Sequence, residues 1–151
     1  MRTSRNGKNI YSIDMMITYI NIFKPKAVYV DVNKLLPNLE YKGWGDPTTN
    51  IKFSAMDVLN KPNTKRHKED YNRINDANLK YPIILDAKNN IFDGIHRLAK
   101  AHLSKKKIKA CIFTQQKMSN FILDKNGNYN KVFKLQSYDL IELFYKKFCN
   151  L

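Results

Sequence analysis

Residues 81–113 read YPIILDAKNNIFDGIHRLAKAHLSKKKIKACIF. Tyr81 to Asp86 is a short apolar run with β-branched Ile83 and Ile84, the pattern of a strand. Ala87 to Asn90 is turn chemistry. Ile91-Phe92 predicts a second short strand, broken by Asp93-Gly94. A helix follows, with Ile95, Leu98, Ala99, His102 and Leu103 at helical spacing on an apolar face. Ile108 to Phe113 alternates into another strand. Strand, turn, strand, helix, strand is the order expected of an α+β or α/β domain.

The strand-to-helix junction carries the chemistry. A helix starting after Asp93-Gly94 leaves its first N–H groups without intrahelical partners, and its dipole adds partial positive charge there. Gly94 has no side chain to keep an oxyanion from the backbone. His96 and Arg97 add donors in the first turn, and Arg97 can grip a phosphate through two N–H bonds. Asp93, Gly94, Ile95, His96 and Arg97 therefore form a candidate phosphate corner. The alternative is that Asp93 merely caps the helix and Arg97 pairs with a surface carboxylate.

With PIILD, a turn and IFDGIHRLAKA, the chain resembles the ParB/sulfiredoxin-like superfamily, whose members carry a G-x-H-R or G-x-R-R box at a strand-to-helix junction. Here the box is Gly94-Ile95-His96-Arg97. Val28 to Pro37 (VYVDVNKLLP) is similar to the family's opening strand and loop. The resemblance covers residues 27–114 and implies a small mixed sheet flanked by helices in a single domain spanning residues 10–151.

It also implies a nucleoside di- or triphosphate ligand (ATP, ADP or CTP) with Mg²⁺, and either phosphoryl transfer or nucleotide hydrolysis. A small hydroxyl compound such as free serine would be the acceptor in a kinase-like member. In such relatives an acidic residue after the first strand is the catalytic base, and Glu40 and Asp46 are the nearest by position. His96 is a further acid or base candidate. Asp93 could orient the loop or help hold Mg²⁺, although no dedicated metal-ligand set is expected. Sulfiredoxin chemistry needs a nucleophilic cysteine at the second box position, where this chain has Ile95. A self-sufficient partition protein needs helix-turn-helix and dimerisation segments, and residues 115–151 are too few for both.

The 151 residues carry 27 Lys and Arg against 13 Asp and Glu, a formal charge of +14. Such a balance favours nucleotides, nucleic acid or another polyanion, so a non-catalytic DNA- or RNA-binding module is the second reading. Abundant Lys, Asn, Ile and Tyr also accompany A- and T-rich coding DNA, which makes proteins basic without a selected partner. Two cysteines, Cys111 and Cys149, argue against a disulfide scaffold. No apolar run reaches the ~20 residues that span a bilayer, and no cleavage-like sequence follows Met15 to Phe23. A cytoplasmic (intracellular) protein without membrane contact is expected.

Further expectations follow from local signals. Residues 1–9 are polar and basic and read as a flexible arm. Ile10 to Phe23 predicts a helix capped by Ser12. Lys34 to Pro37 reads as a loop, and Gly43 to Pro47 as a turn-rich loop. Trp44 either fills a core edge or stacks on a base. Ser54 to Asp57 has capping-box spacing, and Lys65 to Leu79 predicts a helix with a basic face. Asn126-Gly127 signals a hairpin between Phe121–Asp124 and Lys131–Leu135. Ser137 reads as the N-cap of a last helix.

Overall fold

The computed structural model of the protein describes residues 1–45 and 48–149. In chain order the elements are β1 (Thr3–Asn6), β2 (Asn9–Ser12), α1 (Ile13–Phe23), β3 (Val28–Val30), a 3-10 turn (Val32–Leu35) and α2 (Leu36–Glu40). Next come β4 (Trp44–Gly45), β5 (Lys52–Phe53), α3 (Ala55–Asn60), α4 (Lys68–Asp76), β6 (Ile83–Asp86) and β7 (Ile91–Asp93). They are followed by α5 (Ile95–Leu103), β8 (Ile108–Phe113), α6 (Gln115–Ser119), β9 (Ile122–Asp124), α7 (Tyr129–Phe133) and α8 (Ser137–Phe148). The protein is of the mixed α+β class. Its chain divides into two compact units, residues 26–112 and residues 1–25 with 113–151.

In the unit of residues 26–112, the sheet order is β3-β8-β6-β7. β3 runs antiparallel to β8, and β6 antiparallel to β7. Ile83, Leu85 and Ile108 from the strands meet Leu98, Ala99 and Ala101 of α5 in one apolar core. Leu35, Leu39, Val58 and Ile74 bring the 3-10 turn, α2, α3 and α4 into the same cluster. Leu103, expected on the buried face of α5, is 47% exposed, and Ala101 is buried instead.

Local side chains set the element ends. Ser54 and Asp57 form the expected capping box: Asp57 N–H donates to Ser54 Oγ at 3.1 Å and Ser54 N–H to Asp57 Oδ2 at 2.8 Å. These bonds hold the Asp57 carboxyl below its ordinary value, the N–H of Ser54 contributing most. Ser54→Ala should lower stability by about 1 kcal/mol, read as a lower urea midpoint at unchanged m-value.

The segment 34–37 is not a loop. Asp31 Oδ1 accepts the Asn33 N–H at 2.9 Å, the 3-10 turn follows, and Pro37 lies in the first turn of α2, where its missing N–H costs nothing. Asn38 then clamps the β6–β7 turn: its Nδ2 donates to Asn89 O at 2.8 Å and its Oδ1 accepts the Ile91 N–H at 3.0 Å. Asp86 closes the same turn by accepting the N–H groups of Lys88 and Asn90. The 65–79 helix is shorter than its pattern, spanning Lys68–Asp76. Lys100 Nζ reaches back to its end and donates to Asn75 O and Ala77 O at 2.7 Å each.

The other unit overturns several local expectations. The supposed arm is a hairpin: Thr3 to Asn6 pairs antiparallel with Asn9 to Ser12, and Gly7 takes φ 62° in the turn. β2 also pairs with β9, more than a hundred residues away, so its partner is invisible to any local pattern. α1 accordingly starts at Ile13, with Ser12 at the N-cap accepting the Met15 N–H at 3.1 Å. The Asn-Gly hairpin does not form. Asp124 Oδ2 accepts the N–H groups of Asn126 and Asn128, and Asn128 caps α7, so residues 129–133 coil. Gln136, rather than Ser137, caps α8.

Candidate functional site

The box sits where β7 hands over to α5. Gly94 is the N-cap residue, at φ 101°, ψ 28°, in the left-handed region. A Cβ there would lie 2.5 Å from Ile83 Cγ2 and 2.8 Å from Arg97 Nη2. The glycine is thus required first by the packing of the junction on β6. As a glycine, the N-cap residue has no side chain to bond the first N–H groups of α5.

The N-cap position is held by Gly94, not Asp93. Asp93 Oδ2 accepts from Arg97 Nη2 at 3.2 Å, one turn along, and the same nitrogen donates to Pro82 O at 3.2 Å. Arg97 therefore pairs with a carboxylate of the candidate corner itself, just before the box. Its Nε is buried and donates to nothing among the described residues. Both side chains are about one quarter exposed, at 21% for Arg97 and 25% for Asp93.

His96 lies in the first turn, and its ring stacks on Trp44 with centroids 5.0 Å apart and planes at 21°. Trp44 is half-buried, packs against the core cluster and meets Phe53 edge-on at 6.2 Å. It is a core-edge residue in this structure. Of the loop expected at 43–47, Trp44 and Gly45 pair antiparallel with Phe53 and Lys52, and Asp46 and Pro47 lie outside the described residues. Asp70, from the first turn of α4, faces the imidazole with Oδ1 3.7 Å from Nε2, within ion-pair range and beyond a hydrogen bond. Arg73 lies 3.9 Å from the same carboxylate and 2.6 Å from Glu69.

Burial pushes the His96 pKa below its ordinary value, Asp70 works against this, and Arg73 and Arg97 add to it. The imidazole is therefore neutral at neutral pH. A histidine depressed in the folded chain binds its proton first in the unfolded chain. Stability is complete above about pH 6.5 and falls as pH drops through the window below it. Urea midpoints at pH 7.5 and 5.5 should show a drop in the wild type that is smaller in His96→Gln.

The remaining candidates do not join this cluster. Glu40 ends α2, is exposed, and forms no hydrogen bond or ion pair with the box. Asp46 lies outside the described residues. His67, read as part of a basic face, is buried against Phe53 at 4.8 Å, with Nδ1 3.1 Å from Lys61 O. Cys111 is buried, and burial raises its thiol pKa, which suits a packing residue. Trp44 and Asp70 are the partners of His96 that sequence reasoning missed. Trp44 could have been found, as the lone tryptophan in a turn-rich stretch. Asp70 carried no signal, because only the packing of α4 beside α5 brings it to His96.

Asp93, next to the box, accepts from Arg97, and no group of three or more His, Cys, Asp or Glu that could hold an ion occurs among the described residues. Compared with family models, curated proteins and solved structures, the chain finds no significant match in any of the three.

Proposed function

We propose that the Gly94–Arg97 box binds the phosphate end of a nucleoside di- or triphosphate, for phosphoryl transfer or nucleotide hydrolysis. The observation that carries this is the start of α5: a nine-residue helix whose N-cap is a glycine, so that the capping position holds no side chain to bond its first N–H groups. Those groups and the dipole favour an oxyanion. The resemblance of the box to the ParB/sulfiredoxin-like phosphate corner supports the same ligand class, as does the +14 charge.

Arg97 supplies positive charge from inside the site while Asp93 and the Pro82 carbonyl orient it. Proton handling is assigned to His96, whose neutral, stacked imidazole is the right group for accepting a hydroxyl proton. Mg²⁺ belongs to this reading as the counter-ion that a nucleotide brings with it.

ATP, ADP, CTP and GTP, each with and without Mg²⁺, would be titrated into ¹⁵N-labelled protein. One nucleotide should saturate, with its largest amide shifts at Ile95, His96 and Arg97, and His96→Ala should bind it about tenfold more weakly. No saturable binding by any of the four would end this reading. The second reading, a DNA- or RNA-binding module, is favoured by the net charge. Its mark would be duplex binding that weakens steeply with salt and shifts spread over lysines rather than the box.

A further inference from the structure

At the other end of α5 the chain turns through Ser104 to Lys107 and leaves an open groove of about 640 Å³. This size suits a small organic ligand, for which clefts of about 300–1,000 Å³ are usual. Met56 and Leu59 of α3 and Leu103 of α5 give it an apolar lining. Leu103 is 47% exposed there, although it belongs to the apolar pattern of its helix. Lys105, Lys106 and Lys107 line the same groove.

All three lysines are exposed, and among the described residues none has a side-chain hydrogen bond or ion pair. The turn that presents them is fixed. Lys105 takes φ 54°, its N–H donates to His102 O at 3.2 Å, and Lys106 N–H donates to Ala101 O at 2.9 Å. These bonds also occupy carbonyls at the end of the helix, where a partial negative charge would otherwise oppose an anion. Asp31 is the carboxylate lining the groove, and it already accepts the Asn33 N–H. A solvated lysine face accounts for the charges but leaves the exposed leucine beside Met56 and Leu59 unused. A ligand that is anionic at one end and apolar along the rest uses both.

We propose that this groove binds a small, freely dissolved organic phosphate with an apolar body. The phosphate end lies at Lys105, Lys106 and Lys107, and the body lies on Met56, Leu59 and Leu103. The site is separate from the Gly94–Arg97 box, one helix length of nine residues away, or about 13 Å at 1.5 Å per residue. It does not depend on the reading of that box.

Geranyl diphosphate is a suitable probe, with inorganic diphosphate as the head alone and geraniol as the body alone. Titration into ¹⁵N-labelled full-length protein should give saturable shifts at residues 31–33, 56–60 and 101–107. The triple variant Lys105→Gln, Lys106→Gln, Lys107→Gln should bind about tenfold more weakly, since each exposed charge contributes modestly. Leu103→Ser should weaken geranyl diphosphate about fivefold and leave inorganic diphosphate unaffected. Both variants alter exposed positions, and far-UV circular dichroism checks that they fold.

The proposal is overturned if geranyl diphosphate does not bind, or if its shifts centre on residues 94–97. It is equally overturned if inorganic diphosphate binds as tightly, or if the lysine variant keeps full affinity. Binding only to vesicles containing phosphatidic acid, with none to the free probe, would assign the lysines to a lipid surface instead and also overturn it.

Discussion

Phe121→Ala should be the more damaging of two core substitutions, destabilising the protein by about 3–5 kcal/mol. Phe121 has no exposed surface and is among the largest fully buried side chains. Its ring meets Phe113 at 5.1 Å, Phe148 at 5.3 Å and Tyr19 at 6.0 Å, so it joins α1, β8 and α8 around one aromatic cluster. Its carbonyl also accepts the Ser12 N–H at 2.9 Å, next to the β2–β9 pairing. Truncation removes ring contacts that the neighbouring aromatic rings are too rigid to replace by collapsing into the space. Amide exchange should accelerate first in residues 1–25 and 113–149, whose core has been emptied. Uniform protection together with an unchanged urea midpoint would show that the cluster does not hold this unit together.

Gly94→Ala should cost about 3 kcal/mol, from two sources. The residue takes φ 101°, where an L side chain is strained by about 1–2 kcal/mol. The new methyl group would also be 2.5 Å from Ile83 Cγ2, and Ile83 is fully buried. Overpacking of that kind costs about 1–3 kcal/mol. The second source makes the effect conditional on Ile83. In the Ile83→Ala background the clashing carbon is gone, so the double variant should lose less stability than the two single losses added together. Strict additivity would mean that backbone strain alone carries the cost. Such a destabilised variant is a poor probe of phosphate binding, so the ligand test rests on His96→Ala.

The two unpartnered histidine nitrogens have different meanings. His67 Nε2 and His96 Nε2 are both buried without a hydrogen bond. His67 is enclosed, with its other ring nitrogen beside the Lys61 carbonyl, and belongs to the packing under β5. His96 is 31% exposed, sits at a helix start whose N-cap is a glycine and has an acidic neighbour just beyond hydrogen-bond range. Of the two, His96 is the one with substantial access to solvent.

Signals carried by the nearest few residues determined much of this protein. Alternation and turn chemistry located β6, β7 and β8. Helical periodicity located α5, a serine with an aspartate three residues on located α3, and Ser12 marked the start of α1. The box could be read because a strand ending in Asp-Gly before an apolar helical stripe has few other ways to fold. Tertiary structure decided the rest, wherever a local preference had to compete with distant partners. β9 made a strand of Ile10 and Tyr11, which read locally as the start of a helix, and Asp124 turned an Asn-Gly hairpin into a capped helix. Packing placed Asp70 and Trp44 around His96 and left Leu103 lining one groove with Met56 and Leu59. A local pattern fixes which face of an element is apolar, but the choice of what meets that face depends on chain closure over tens of residues, and no short window contains it.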